Sequence, residues 1–140
     1  MRAYEAESTI QAPPERIWEI LTDAPQYPAW DSGVVRLEGR VAPGEMLSIF
    51  SEANPGRAFP ARVVDFQPPR RMVWSGGAPL GLFKGVRTFT LTPDSGGRTR
   101  FHVREEYTGP LLSMIWKSMP DLGPSLQKFA TGLKAKAEGG

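Results

Sequence analysis

The chain has 140 residues, 40% of them apolar and 23% charged, and a net charge of +2. That length suits one domain (residues 1–140) with its own core. Arg70-Arg71 and the pair Lys134 and Lys136 read as solvated surface, so no nucleic-acid partner is expected. There is no cysteine, which excludes disulfides, a thiolate metal site and a cysteine nucleophile, and fits a reducing cytoplasm.

"AYEAESTIQA" alternates: Tyr4, Ala6, Ser8 and Ile10 share one face, and Glu5, Glu7 and Thr9 the other, as in a strand with one wet side. The same opening carries two glutamates where a secretory leader needs an apolar run, and no window approaches the roughly 18 apolar residues of a membrane span. A cytoplasmic chain without integral membrane association is therefore expected. "PPERIWEILTD" follows, with prolines suited to a helix start, Glu15 in the first turn and Ile17, Ile20 and Leu21 at helical spacing. "APQYPAW" predicts a short second helix or turn, broken by Pro28.

From residue 33 the period becomes two. "VVRLEG", "EMLSIFSE", "RAFPARVVDFQ", "RRMVWSG", "VRTFTLTP" and "RTRFHVREEYTG" read as strands, separated by "APGE", "ANPG", "QPP", a 76–85 loop and "PDSGG". Short connections between sequential strands predict an antiparallel meander. After Gly109 the pattern is helical. Pro120 and Pro124 divide it into a short amphipathic piece and a longer helix from about Asp121, with Leu122, Leu126, Phe129 and Leu133 on one stripe. The expected architecture is α+β: a seven-stranded curved antiparallel sheet wrapped around a long C-terminal helix, with two short helices after the first strand. One apolar sheet face and one apolar helix stripe each need the other.

Several stretches in this order, "IQAPPERIWEILTD", "YPAWD", "PPRRMVWSG", "GLFKGVRTFTLTP", "TRFHVREEYTG" and "LLSMIWKSMPDLGPSLQKFATGLKAKAE", cover nearly the whole chain. Together they resemble the START-like or SRPBCC superfamily, and within it the polyketide cyclase/dehydrase and lipid-transport group. The resemblance implies the helix-grip fold and a deep apolar cavity between sheet and C-terminal helix. It implies no single activity, since members include carriers, enzymes and partner-binding modules.

The residues themselves suggest what such a cavity would contain. Counting outward from "PDSGG" puts Leu91 near Phe101 and Arg87 near Glu105. Arg87, Phe89 and Leu91 then share the inner face with Phe101, Val103, Glu105 and Tyr107. An inward Arg87–Glu105 pair either orders the sheet or recognises a polar end of a ligand. Met72 and Trp74, Leu47 and Ile49, and Val35 and Leu37 are phased inward on three other strands. Trp30, Trp116 and Met119 are placed at the mouth, and Leu126 and Phe129 on the covering helix. Core packing alone is the competing reading for most of them. Leu80, Leu82 and Phe83, set among glycines, form either a lid with an apolar underside or a plug.

His102, the only histidine, is phased outward, and Ser75, Ser113 and Ser118 have no histidine to activate them. No metal site, no cofactor and no phosphate-binding loop is expected. The expected partner is a small apolar molecule such as a lipid or polyketide. A cyclase or aromatase-type enzyme and a protein-interaction module with a vestigial cavity stay open beside it, as does the oligomeric state.

Overall fold

A computed structural model describes residues 1–52, 54–116 and 122–139. Its seven strands are β1 (Arg2–Ile10), β2 (Val34–Glu38), β3 (Met46–Ser51), β4 (Asn54–Gln67), β5 (Arg71–Gly77), β6 (Lys84–Pro93) and β7 (Thr99–Thr108). The helices are α1 (Pro14–Thr22), α2 (Leu112–Trp116) and α3 (Gly123–Glu138), and a 3-10 segment at Ala24–Ala29 follows α1. All strand pairings are antiparallel, in the order β1-β7-β6-β5-β4-β3-β2. This is the helix-grip arrangement. The sequence placed the start of α3 at about Asp121, which lies outside the described residues.

The period-two pattern makes one face of the sheet the core. Along β7, Phe101, Val103, Glu105 and Tyr107 are buried while Arg100 is exposed. His102 lies on the outer face beside Glu5, as its phase predicts. Register shifts at Val34/Arg36, Ile49/Ser51 and Val63/Asp65 bend the strands around α3. They also correct one expectation. The shift at Val34/Arg36 turns Val34 inward with Leu37 and leaves Val35 41% exposed.

The stripe of α3 fills the concave side. Leu126, Phe129, Ala130 and Leu133 are buried, and Leu122 is half-buried at the helix start. Phe129 meets Trp30, Phe89 and Phe101 at ring-centroid distances of 5.0, 6.0 and 6.0 Å. Polar contacts hold α3 along β1: Ser8 Oγ donates to the Ala130 carbonyl, and Lys134 Nζ to that of Thr9. Gly132 lets the helix approach the chain at Asp31, where a Cβ would stand 2.7 Å from the carbonyl oxygen.

The 76–85 loop expected from its glycines is shorter in the structure. Gly76 pairs with Gly85 and Gly77 with Lys84, so β5 and β6 form a hairpin with an unpaired tip at residues 78–83. Close packing accounts for Gly76 and Gly77, while Gly81 (φ +68°) supplies a turn conformation with open space around it. A Cβ on Gly76 would lie 2.0 Å from the Pro60 carbonyl oxygen, and one on Gly77 (φ +143°) 2.1 Å from that of Phe83. The tip is tied down as well: Ala78 N–H donates to Phe83 O at 2.8 Å, and Leu111 N–H to Leu82 O at 2.9 Å.

Candidate functional site

Curvature leaves a pocket of about 770 Å³ between the sheet and the first turns of α3. β3 and β4 supply Ile49 and Ala58–Ala61, and β5 supplies Trp74 and Gly77. Phe83, Gly85 and Arg87 come from β6 and its turn, Glu105 and Tyr107 from β7, and Leu122, Ser125, Lys128 and Phe129 from the start of α3 and the residue before it. The Ser32–Val34 segment closes one side.

The polar heart of the wall follows from strand register. Trp74 pairs with Arg87, Arg87 with Glu105, and Glu105 with Tyr4, so four inward residues run across β5, β6, β7 and β1. Arg87 donates from Nε and Nη2 to Oε2 of Glu105, and the Tyr107 hydroxyl donates to Oε1. Glu105 is 8% exposed. The Arg87 side chain keeps 24% exposure, on the pocket wall, with its guanidinium carbon 5.4 Å from the centroid of the Phe129 ring.

Burial weakens the case for charge on Arg87, but the neighbouring Glu105 carboxylate outweighs it and raises the guanidinium pKa. Burial, and then the negative charge of Glu105, push the Tyr107 phenol far above its ordinary range. The network is therefore a cation, an anion and a neutral hydroxyl. The Phe83 ring stacks on Tyr107 at 5.7 Å and 19°. At the rim Lys128 bonds Glu52 at 2.9 Å, and Arg57 is exposed.

Of the residues singled out from sequence, Ile49, Trp74, Phe83, Arg87, Glu105, Tyr107 and Phe129 line this pocket. Trp30, Leu47, Met72, Phe89, Val103 and Leu126 belong to the buried core and lie off its wall. Leu82, 39% exposed, and Leu80, 96% exposed, do not line the pocket. The Trp116 side chain and Met119 lie outside the described residues.

The sequence reading missed Ala58–Ala61, Ser32–Val34 and the Glu52–Lys128 pair. The register shifts at Ile49/Ser51 and Val63/Asp65 hide the phase of β4, and a rim formed by strand curvature leaves no local pattern. Among the described residues no cluster of His, Asp or Glu could hold a metal ion, and no helix is long and apolar enough to cross a membrane.

The architecture recurs in solved structures. A hypothetical protein from Helicobacter pylori, jhp0584, superposes with a TM-score of 0.80 at 15% identity, over 97% of this chain and 88% of that one. Truncated norcoclaurine synthase from Thalictrum flavum gives 0.69 at 15% identity, over 96% and 92%. The Aha1 dimer from Colwellia psychrerythraea gives 0.73 at 16% identity, over 99% and 97%. At such identities the likeness establishes the fold alone. No curated protein matches the chain in sequence. A family model does, over residues 1–138, so the curved sheet and its pocket have a lineage: the chain belongs to the polyketide cyclase / dehydrase and lipid transport family.

Proposed function

We propose that residues 1–140 act as one unit that binds a small, largely apolar molecule in the pocket between the sheet and α3. The observation that carries this reading is a cavity of about 770 Å³ whose wall combines Ile49, Trp74, Phe83 and Phe129 with the Arg87–Glu105–Tyr107 network. Ligand sites of roughly 300–1,000 Å³ have this make-up, mostly apolar with a few placed polar groups. In this reading the rings hold the body of the ligand and Arg87, Glu105 and Tyr107 its polar end. The family description, which includes lipid transport, supports a ligand-binding role. So large a pocket supports that role over an interaction module with a vestigial cavity.

The hydrogen bond from Tyr107 to Glu105 favours a second reading, cyclase or aromatase-type catalysis on a polyketide-like substrate. There Arg87 would bind a developing oxyanion and offset its charge, while Glu105 and Tyr107 orient the substrate and Glu105 shuttles protons.

Native mass spectrometry of the purified protein tests the binding reading. Wild type should retain a stoichiometric small apolar molecule that is lost from Ile49→Trp, which fills the pocket from β3. Equal retention by both proteins would place the molecule elsewhere.

A further inference from the structure

Taking the pocket as a ligand site, we infer that it selects an uncharged ligand offering an oxygen acceptor, such as a ketone, quinone or ester carbonyl, and that Arg87 receives that oxygen. The first argument is hydrogen-bond capacity. Both oxygens of Glu105 are engaged, Oε2 by Nε and Nη2 of Arg87 and Oε1 by Tyr107. The Tyr107 hydrogen is thereby used. Arg87 has a second terminal nitrogen, Nη1, with no acceptor among the described residues, on a side chain that reaches the pocket. The indole N–H of Trp74 has no acceptor among the described residues either, but it is itself buried behind the wall and does not compete with Arg87 for the ligand. Acceptor lone pairs remain on the Tyr107 oxygen and on Glu105 Oε1, but the charged group of the network with an unused hydrogen on the pocket wall is the Arg87 guanidinium, the stronger partner for a neutral ligand.

The second argument is charge. Arg87 and Glu105 cancel. A carboxylate approaching Nη1 would come beside the Glu105 carboxylate in a poorly hydrated site, where like charges repel strongly. An ammonium would face the guanidinium, and the Glu105 carboxylate it would need already holds Arg87 and Tyr107 and is buried. A neutral carbonyl meets neither penalty. The charges at the mouth do not reverse this, because Lys128 is paired with Glu52 and Arg57 is exposed to screening solvent. The stacked Phe83 and Tyr107 rings, with Trp74 and Phe129, suit a flat ligand.

Calorimetric titration of the whole chain at pH 7.5 with four probes of one ring system decides the matter: 2-ethylnaphthalene, 2-acetylnaphthalene, 2-naphthoate and 2-(aminomethyl)naphthalene. The ketone should bind about ten-fold more tightly than the hydrocarbon and than either ion, the difference expected of one hydrogen bond from a charged donor. Naphthoate equal to the ketone, or a ketone no better than the hydrocarbon, overturns the inference while hydrocarbon binding keeps the ligand-site reading. Binding by none of the four overturns both. In Glu105→Gln, which leaves the Arg87 charge uncompensated, naphthoate should gain about ten-fold and the hydrocarbon stay level. No gain for naphthoate removes Arg87 from the role. Should that variant fail to fold, the wild-type ordering decides alone.

Discussion

Removing one member of the Arg87–Glu105 pair should damage the fold more than removing both. Stranding one charge of a fully buried pair costs about 3–5 kcal/mol. The two sides are unequal here, since the Glu105 side chain is 11% exposed and that of Arg87 24%. Arg87→Met leaves the more deeply buried carboxylate without its cation, with only Tyr107 still donating, and should fall at about 3–5 kcal/mol. Glu105→Gln strands a guanidinium that pocket water can partly rehydrate, and should fall lower, at about 2–4 kcal/mol. The double variant should recover much of the loss, with a coupling energy of about 1–3 kcal/mol. Urea unfolding at constant m-value reads all four corners of the cycle. Additive effects within about 0.5 kcal/mol, or a Glu105→Gln loss exceeding that of Arg87→Met, would refute the reasoning.

Other outcomes follow from packing and titration. Phe129→Ala removes a ring that is 1% exposed and should cost about 3–5 kcal/mol in the same assay; a loss near zero contradicts its place under the sheet. Gly76→Ala drives a methyl group against the Pro60 carbonyl and should cost about 1–3 kcal/mol, whereas a neutral result would return the glycines to a role in mobility. Hydrogen exchange should be fast at Leu80 and Gly81 but slow at Gly76, Gly77 and Gly85; fast exchange across the whole stretch would restore a mobile lid. Hydrogen bonds from His102 to Glu5, from Gln67 to Asp65 and from Lys134 to Glu138 are the first causes that hold those carboxyls below their usual range. Their contribution to stability is complete above the unfolded carboxylate pKa and is lost as pH falls through the lowered folded values. Glu138→Gln should therefore reduce the acid-side loss of stability, and an unchanged acid slope contradicts the assignment.

Much of this site is written in the strand pattern, and the reasons are local. The "PDSGG" turn fixes β6 against β7, so counting from it places Arg87 opposite Glu105, as the register has it. The unbroken alternation of β7 names its inner face. Neither device works on β2 and β4. One unpaired residue there flips the phase, which is why Val35 reads inward and faces out. Glycines also carry two meanings, freedom and close approach, and only the neighbouring backbone at Pro60 and Phe83 tells them apart. The pocket wall at Ala58–Ala61 arises from curvature summed over several strands, which no window of sequence contains.

The most direct measurement is an amide and indole NMR titration of the labelled protein with 2-acetylnaphthalene. The account predicts saturable shifts confined to Ile49, Ala58, Trp74 including its indole N–H, Phe83, Arg87, Tyr107 and Phe129, all on the pocket wall, and their loss in Ile49→Trp. Shifts on the outer face around His102 and Glu5 instead, or shifts that persist in the blocked variant, would contradict it.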